Sequence, residues 1–587
     1  MTARSLALAV LAAALWAVPA AAAPLGFDKP VYVDQHLAGG EPVLLTDTVH
    51  HDIIYSTHEG TTHIYRPGLA SSTTFDFASG YRNQVNVWTS RDEGRTWKVD
   101  DFGGKFTSNP AQNSGFSDPD LTQDAGGRVY NTGINLANDS LFSSNDGGVT
   151  WDRGTAQCHD GDRPWLAGAH KDEVFLATNT SESNDESHQI FQSTDGGNTC
   201  SATGIPDAGK LPDGTKYTGN GKIYYDPRGD RLVEPVNFMD ADGHTTGIGV
   251  GTWKRGDKAF TPHLAAKTSI YAHWAAIALD DAGGLYLTYD NDPHQAGTAG
   301  GCDTGPSVDP DAGVKLTNNG ETPAANQIAL IHSGNFGTSW DPPTTIARPA
   351  NARVLWPWVA AGDAGKVSVV WYQTDKIADL ACQPAKLSVM AATVTGANTA
   401  TPAVSAVDAV GHPIADNNIC QNGTLCVATG EDRRLGDFFT NAIDDQGCAI
   451  IGTADSSTKD PVTGGERSVA LPLFVRQNSG AALRGGGDCS GRAASLLSNS
   501  TRRCASRRSF KIRLHTKKAD PLARATVYVN GKRVRTLKGK RLRAAVDLRG
   551  LPKGTFRVKV QGVTRKHHRV RDLRTYHTCV PKRASKK

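Results

Sequence analysis

The chain has 587 residues, 38% of them hydrophobic, and a formal net charge of +4. That charge is unevenly divided, because residues 501–587 carry 29 lysines and arginines against three acidic residues and leave the remainder acidic. Opposite charge in two regions predicts at least two domains. After the N-terminal segment no stretch is apolar enough to span a bilayer, which excludes a polytopic membrane protein.

The N-terminus predicts a secretory signal peptide over residues 1–23. Arg4 precedes an apolar run from Leu6 to Val18, and small residues follow as far as Ala23. A charged start, a short apolar run and a small-residue end are typical of export signals, and the run is too short for a membrane anchor. We therefore expect a secreted protein, extracellular or associated with the cell envelope, without a transmembrane segment.

Ten cysteines are present, and none lies in a Cys-x-x-Cys pair or a zinc-finger spacing. In an exported chain this pattern predicts disulfides. The pairs indicated by position are Cys158–Cys200, Cys420–Cys426 and Cys504–Cys579.

One eight-residue motif recurs four times. Its copies begin at Ser90, Ser144, Ser193 and Ser333, and each reads Ser-x-Asp/Asn-x-Gly-x-Thr/Ser, followed by Trp or, in the third copy, Cys200. The Asp or Asn oxygen can accept hydrogen bonds from N–H groups of its own turn, and glycine supplies a positive φ. Each copy follows a short apolar strand, so the motif predicts a hairpin turn.

A second repeat alternates with the first and reads strand, Asp/Gly turn, strand. Its copies run over residues 118–130, 162–176, 222–233, 273–287, 356–371 and 437–451, and an irregular copy spans Val43–Tyr65. Two hairpins per unit make four-stranded blades. The sequence therefore predicts an all-β protein with a six- or seven-bladed β-propeller over residues 24–476.

Composition changes after this region. Residues 477–503 are rich in Gly, Ser and Ala, as linkers are. Beyond them, short alternating strands and an Asn530-Gly531 turn predict a small basic β-sandwich, Ig-like in character, over residues 504–587.

On its repeated turns, the region 43–475 resembles the sialidase / BNR-repeat superfamily of Asp-box propellers. Sialidases of that superfamily use three arginines, an aspartate acid/base and a tyrosine–glutamate nucleophile pair. Their first arginine lies in a Phe/Tyr-Arg-Ile-Pro motif, whereas this chain has Tyr65-Arg66-Pro67 without the isoleucine. That arginine role is therefore not assigned to Arg66.

Aligning the second repeat predicts which residues ring one mouth of the propeller. Ser117, Asp162, His273, Leu355 and Asp437 become equivalent, and the next position holds Asp118, Arg163, Trp274, Trp356 and Phe438. Carboxylates suit acid–base chemistry on glycosides, aromatic rings stack on sugars, and arginine binds a carboxylate bidentately. Asp118 and Asp162 are the candidate catalytic residues here. The candidate substrate-binding residues are Arg163, His273, Trp274, Trp356, Arg433, Arg434 and Asp437.

Glu234 interrupts an apolar strand, and a buried carboxylate there needs a partner, for which Tyr224 and Tyr225 are the alternatives. Glu234 and Tyr224 join the candidate catalytic residues. Structural roles compete with these functional ones: turn capping for Asp118 and Asp162, an ion pair for Arg163, and core packing for Trp274 and Trp356.

The sequence shows no cofactor motif, and no Asp/Glu/His cluster indicates a transition metal. Structural Ca²⁺ stays open at the Asp-rich loops Asp290–Asp292 and Asp303–Asp311. The basic domain predicts binding to an anionic cell-wall polymer. Such a polymer is favoured over nucleic acid, and we expect no nucleic-acid partner, since no aromatic pattern accompanies the charge.

Two functions follow. The first is a secreted sialidase-like propeller that recognises extracellular glycans, with exo-glycosidase hydrolysis of acidic sugars as its enzymatic form. The alternative is a non-catalytic binding or scaffold propeller held at the envelope by the basic domain.

Overall fold

A computed structural model describes residues 23–60, 62–65, 84–100, 115–135, 138–158, 161–180, 188–268, 275–291, 307–308, 315–316, 325–378, 380, 383–420, 426, 431–490, 509–512, 520–542, 546–549 and 554–578. The elements described are strands, with a single-turn 3-10 helix at Gly539–Leu542. The predicted all-β class is confirmed. Within these residues no helix has the length and apolarity needed to cross a membrane.

Seven antiparallel sheets follow one another along residues 26–479. The first two strands, β1 (Gly26–Phe27) and β2 (Val31–Tyr32), belong to sheet 7. Sheet 1 consists of β3 (Val43–Thr46), β4 (Ile53–Thr57), β5 (Asn86–Ser90) and β6 (Lys98–Val99). Sheet 2 consists of β7 (Ser117–Gln123), β8 (Val129–Asn135), β9 (Asn138–Ser144) and β10 (Arg153–Thr155). Sheet 3 consists of β11 (Gly161–Gly168), β12 (Val174–Thr180), β13 (His188–Ser193) and β14 (Ser201–Ala202).

Sheet 4 has six strands, because β16 and β17 both pair with β18. They are β15 (Gly209–Lys210), β16 (Lys216–Gly219), β17 (Tyr224–Asp226), β18 (Arg231–Met239), β19 (Thr245–Lys254) and β20 (Thr261–Ala266). Sheet 5 consists of β21 (Ala276–Leu279), β22 (Leu285–Asn291), β25 (Gln327–Ser333) and β26 (Thr344–Ala347), and a separate pair is formed by β23 (Ser307–Val308) and β24 (Lys315–Leu316).

Sheet 6 consists of β27 (Val354–Ala361), β28 (Lys366–Thr374), β29 (Leu387–Thr395) and β30 (Ala403–Asp408). Sheet 7 consists of β31 (Thr440–Ile443), β32 (Ala449–Asp455) and β33 (Leu471–Ser479), with β1 and β2 both paired to β33. The last sheet is thus completed by the first strands of the chain.

The sheets form a closed ring. The innermost strands β3, β7, β11, β17, β21, β27 and β31 contact one another in that order, and β31 contacts β3. Together they line an axial cavity of about 350 Å³. A closed ring of antiparallel sheets around an axial cavity is a propeller-like architecture.

The four repeated turns share one pattern of hydrogen bonds. In the second copy, Oδ1 of Asp146 accepts from the N–H of Thr150 at 2.8 Å, Oδ2 accepts from its hydroxyl, and Ser144 Oγ accepts from the N–H of Gly148. The copies at Asp92, Asp195 and Asn335 repeat the backbone bond, and their glycines have positive φ. All four join the third and fourth strands of their sheets. Because strands alternate in direction, these turns lie at the end of the ring opposite the starts of the innermost strands.

Three disulfides link described cysteines. Cys158–Cys200 and Cys420–Cys426 were predicted and are confirmed, whereas Cys448–Cys489 was not predicted. The predicted pair Cys504–Cys579 lies outside the described residues. Strand β33 runs past residue 476 to Ser479, and the segment 480–490 contacts sheet 7 through Leu483 and through the Cys448–Cys489 disulfide.

The C-terminal region contains β34 (Ser509–Ile512), β35 (Leu522–Val529), β36 (Lys532–Lys538), β37 (Val546–Arg549), β38 (Gly554–Thr564) and β39 (Arg569–Thr578). Strands β36, β35, β38 and β39 form one sheet, β34 and β37 a second, and Asn530-Gly531 makes the expected turn. Lys559 and Arg571 both contact Asp445, and Arg557 contacts Asp52. The domain therefore docks on the first-to-second strand turns of sheets 7 and 1, on the side of the repeated turns.

Candidate functional site

Four innermost strands are preceded or interrupted by a residue in the left-handed backbone region. They are Glu41, Asp118, Arg163 and Trp356, with φ of 51°, 50°, 57° and 53°, and each stands immediately before a proline. At the last three the strand register shifts, as in a β-bulge. Positive φ at non-glycine residues costs about 1–3 kcal/mol each and concentrates at functional sites. A bulge re-aims the side chain.

Three of these four side chains line one narrow crevice at the starts of the innermost strands. Its walls are Glu41, Asp118, Arg163, Pro164, Trp165, Asp437 and Phe438. Sheets 1, 2, 3 and 7 thus contribute polar groups to one point on the ring. This crevice is the candidate functional site.

Aromatic rings form the floor of the crevice. Trp165 lies 5.1 Å from Phe438 and 5.8 Å from Trp358, and Phe438 lies 5.9 Å from Trp358, measured between ring centroids. Trp358 also lines the axial cavity, so this aromatic trio separates the crevice from that cavity. The crevice therefore does not continue into the axial cavity through the trio.

Glu41 and Asp118 form a carboxyl pair. Oε2 of Glu41 accepts a hydrogen bond from the backbone N–H of Asp118 at 3.2 Å, and the Ser117 hydroxyl donates to Oδ1 of Asp118 at 2.6 Å. Burial, together with the charge of Asp437, raises the pKa of Glu41 to about 7. Burial and the charges of Glu41 and Asp162 raise the pKa of Asp118 well above its usual range. Two carboxyls this close cannot both ionise easily, so at neutral pH they share a proton.

Arg433 fixes the third carboxylate. Its Nη2 donates to Oδ2 of Asp437 at 2.8 Å, and its Nη1 donates to Oδ1. Both side chains are less than a tenth exposed. A bidentate, charge-assisted pair of this kind holds the Asp437 carboxylate in one orientation at the crevice wall.

Two histidines lie behind Glu41. The Nε2 atom of His63 is 3.1 Å from Oε1 of Glu41, and the His63 ring stacks on His58 with centroids 4.3 Å apart. Burial and the charge of Arg433 lower the pKa of His63 to about 3, and burial lowers the pKa of His58 well below its usual range. Both imidazoles are therefore neutral near pH 7. Glu41, His63 and Asp118 also place ligand atoms within 4.8 Å of one another, a set that could hold a cation.

The structure brings Asp118, Arg163, Arg433 and Asp437 together. Asp162 stands beside them, with 57% of its side chain exposed and its carboxylate 4.0 Å from Nε of Arg163. His273 and Trp274 lie outside the described residues.

Trp356 and Arg434 occupy structural positions. Trp356 is 5% exposed and packs on Tyr372 in the core, with ring centroids 5.6 Å apart. Arg434 is fully buried, with Asp432, Glu466 and backbone carbonyls around its guanidinium. Neither side chain lines the crevice.

The structure does not pair Glu234 with Tyr224. Tyr224 is opposite Val233 across the β17–β18 ladder, and side chains alternate between faces along a strand, so Glu234 points to the other face. Tyr224 lines the axial cavity, whereas Glu234 lies beside His188 and Asp207. The structure therefore does not bring these two side chains together, because the ladder register sets which face of the sheet each side chain occupies.

Sequence reasoning missed Glu41 and His63. The signal for Glu41 was present, because Glu41-Pro42 repeats the residue-proline step of Asp118-Pro119 and Arg163-Pro164. The irregular copy of the second repeat, over Val43–Tyr65, begins after this residue-proline step. The alignment of the repeats therefore did not include Glu41. No local pattern marks His63.

No protein-family model and no curated protein matches this chain. Among solved structures, a fungal alcohol oxidase of the AA5 family in complex with copper is similar, with a TM-score of 0.44 and 10% identity over 95% of this chain and 100% of that one. An α-L-arabinofuranosidase from Fusarium graminearum gives 0.34 and 14% over 78% and 98%. A Hadza microbial sialidase gives 0.32 and 14% over 61% and 64%. Likeness this slight assigns no activity, so function must be argued from the crevice.

Proposed function

We propose that the protein is a secreted, seven-bladed Asp-box propeller that binds extracellular glycans at the crevice and hydrolyses glycosides of acidic sugars. The observation that carries this proposal is the proton-sharing pair of Glu41 and Asp118, placed beside Arg163 over an aromatic floor. Each of the seven sheets is one blade, and the three disulfides suit an oxidising compartment.

The carboxyl pair supplies the acid. Glycoside hydrolysis needs a carboxylic acid that keeps its proton near neutral pH and a second carboxylate on the other side of the bond. The proton shared by Glu41 and Asp118 passes to the leaving-group oxygen as the glycosidic bond breaks. Water supplies hydroxide to the anomeric carbon, and its proton passes to Asp162, the exposed carboxylate at the rim.

Substrate orientation comes from the walls of the crevice. Arg163, with 27% of its side chain exposed, binds the carboxylate of an acidic sugar. Trp165 and Phe438, each 3% exposed, pack beneath these groups and hold the crevice walls in place. Asp437, held by Arg433, accepts hydrogen bonds from sugar hydroxyls.

Turnover of fluorogenic glycosides of sialic and uronic acids and of neutral sugars tests this function. Glu41→Gln and Asp118→Asn are expected to lower kcat/KM by about 10²-fold or more, the usual worth of acid catalysis. Arg163→Met is expected to raise KM for acidic glycosides only. The matched control is Asp146→Asn, a carboxyl-to-amide change in a repeated turn on the opposite end of the ring. Failure of the wild-type protein to cleave any glycoside would overturn the enzymatic proposal.

A second candidate function is favoured by the aromatic trio. Trp165, Trp358 and Phe438 close the ring axis beneath a narrow crevice, which suits a binding or scaffold propeller without turnover. Glycan-array binding without hydrolysis, lost in Arg163→Met, would support this function over the enzyme.

We also propose that the C-terminal domain attaches the propeller to an anionic cell-wall polymer. Strand β36 exposes Lys532, Arg533, Arg535 and Lys538, whereas Lys559 and Arg571 are committed to Asp445 of the propeller. Replacing the four exposed cations by glutamine is expected to abolish salt-sensitive sedimentation with purified wall polymer. Unchanged sedimentation of that variant would rule this attachment out.

A further inference from the structure

A second polar cluster lies inside the ring, between sheets 3 and 4. His188 begins β13 of sheet 3, Asp207 lies in the connection between β14 and β15, and Glu234 lies on β18 of sheet 4. Each offers one ligand atom, and these atoms lie within 4.8 Å of one another. All three residues are less than a tenth exposed, and Glu234 is fully buried. The cluster is therefore built from two blades and the segment that joins them.

Glu234 enters this space because of the face it occupies on β18. Leu232, two residues earlier, packs with Phe175 of sheet 3, and residues two apart on a strand share a face. Glu234 therefore faces sheet 3, where His188 stands. His188 and Asp162 both pair with Asn179 of β12, so the cluster lies level with the crevice and outward from it.

The carboxylates in the cluster lack sufficient partners. Neither oxygen of Glu234 has a hydrogen-bond partner among the described residues, and Oδ1 of Asp207 has none either. Oδ2 of Asp207 contacts Nδ1 of His188. An ionised carboxylate left unpaired in the interior is very costly, so two acidic groups require compensating positive charge or protons.

Glycines on two neighbouring strands leave room around the carboxylate. A Cβ at Gly219 would lie 2.8 Å from Nδ1 of His188 and 3.0 Å from Cδ of Glu234, and a Cβ at Gly251 would lie 3.3 Å from Oε1 of Glu234. A larger side chain at Gly219 would collide with two of the three members. Glycine at these two positions thus avoids a steric clash with members of the cluster.

We propose that His188, Asp207 and Glu234 bind a divalent transition-metal ion of the Zn²⁺ class, which ties sheet 3 to sheet 4. One imidazole and two carboxylates are ligands that such ions accept, and a dication neutralises both acids. Ca²⁺ and Mg²⁺ fit less well, because they favour sites made wholly of oxygen. The ion is structural here, since its ligands are buried and lie outside the crevice.

Metal analysis of the full chain tests this site. The wild-type protein, dialysed against Zn²⁺ and then freed of loose metal, is expected to retain one zinc per chain, and Glu234→Gln is expected to retain none. The matched control is Asp240→Asn, since Asp240, Asp242 and His244 form an exposed His/Asp cluster that would hold zinc only adventitiously. This control is expected to keep one zinc.

Thermal unfolding supplies a second measurement. A chelator is expected to lower the Tm of wild type by a few degrees, with recovery on adding Zn²⁺, and to leave the Tm of Glu234→Gln unchanged. If Glu234→Gln fails to fold, Co²⁺ titrated into chelator-treated wild type must give ligand-field bands with a one-to-one end point.

Three results would overturn the proposal. The first is a wild-type protein that retains no zinc and is no more stable than Glu234→Gln, which would show that protons neutralise the cluster. The second is zinc retained by Glu234→Gln and lost from Asp240→Asn or Glu41→Gln, which would place the ion elsewhere. The third is a Co²⁺ titration of wild type without ligand-field bands.

Discussion

Arg433 and Asp437, four residues apart, form a bidentate ion pair that is almost completely removed from solvent. Their segment leads directly into β31, so the pair sets the position of one crevice wall relative to the innermost strand of sheet 7. Buried pairs of this kind contribute little net stability over apolar residues, but loss of one partner leaves a buried charge uncompensated.

Arg433→Met is therefore expected to lower the free energy of unfolding by about 3–5 kcal/mol, because Asp437 would remain buried without its cation. Urea denaturation followed by tryptophan fluorescence measures the change. Arg484→Met, which breaks a half-exposed pair with Asp281, is the control and is expected to cost less than about 1 kcal/mol. Equal losses in the two variants would contradict the assignment of Arg433 as a buried anchor.

The raised pKa of Glu41 predicts how the stability of the folded chain depends on pH. An unfolded glutamate ionises near 4.5, whereas burial holds the pKa of Glu41 at about 7. Between these values the folded chain keeps a proton that the unfolded chain has released, so stability falls as the pH rises through this window. Glu41→Gln is expected to flatten that dependence and to stabilise the protein above pH 7 by on the order of 3 kcal/mol. Unfolding curves from pH 4.5 to 8 measure it, and a variant as pH-dependent as wild type would refute it.

Lys559 predicts pH-dependent docking of the C-terminal domain. Burial and the charge of Arg571 lower the pKa of Lys559 from 10.5 to about 7. Between these values an undocked lysine holds a proton that the docked one has released, so docking strengthens as the pH rises from 7 toward 10. Hydrogen exchange of β38 and β39, corrected for its intrinsic pH dependence, should show this in wild type and not in Lys559→Met. The exposed Lys532→Met is the control and should behave as wild type.

The repeated turns are expected to matter for stability alone. Asp146→Ala removes three hydrogen bonds to Val149 and Thr150, and Asp195→Ala removes the corresponding bonds to Asn198 and Thr199. Each change should cost about 1–2 kcal/mol. Asp242→Ala in an exposed hairpin should cost almost nothing. Loss of glycan binding or turnover in the folded Asp146 variant would contradict the position of these turns opposite the crevice.

Much of the crevice could be predicted from the sequence, because the second repeat places equivalent residues at equivalent points of the fold. Aligning the second repeat made Asp118, Arg163 and Trp356 equivalent, and the structure gives all three a positive φ before a proline. The repeated turns were predictable for the same reason, because Asp146 accepts hydrogen bonds from Val149 and Thr150 of its own turn. Patterns of this kind depend on neighbouring residues alone, so they can be recognised in a single sequence.

The contacts that form when the ring of sheets closes could not be predicted from the sequence. Glu41 meets Asp118 and Asp437 only because sheets 2 and 7 flank sheet 1, and no spacing along the chain encodes that meeting. The Trp356 ring is buried because it packs against Tyr372 of its own sheet. Arg434 follows Arg433 directly, yet it is fully buried and pairs with Asp432. The two adjacent arginines therefore have different partners.

The closure of sheet 7 also bears on how the chain associates. Strands β1 and β2 cover the outer edge of β33, and the hydroxyl of Ser479 donates to the carbonyl of Pro24 across a separation of 455 residues. A protein shortened to begin at Val33 would leave β33 as an open edge with unpaired N–H and C=O groups. Such an edge accepts a strand from another molecule, so the shortened chain would exchange strands and form oligomers. The N-terminal strands therefore protect the edge of β33 against self-association, and they also close the ring of sheets.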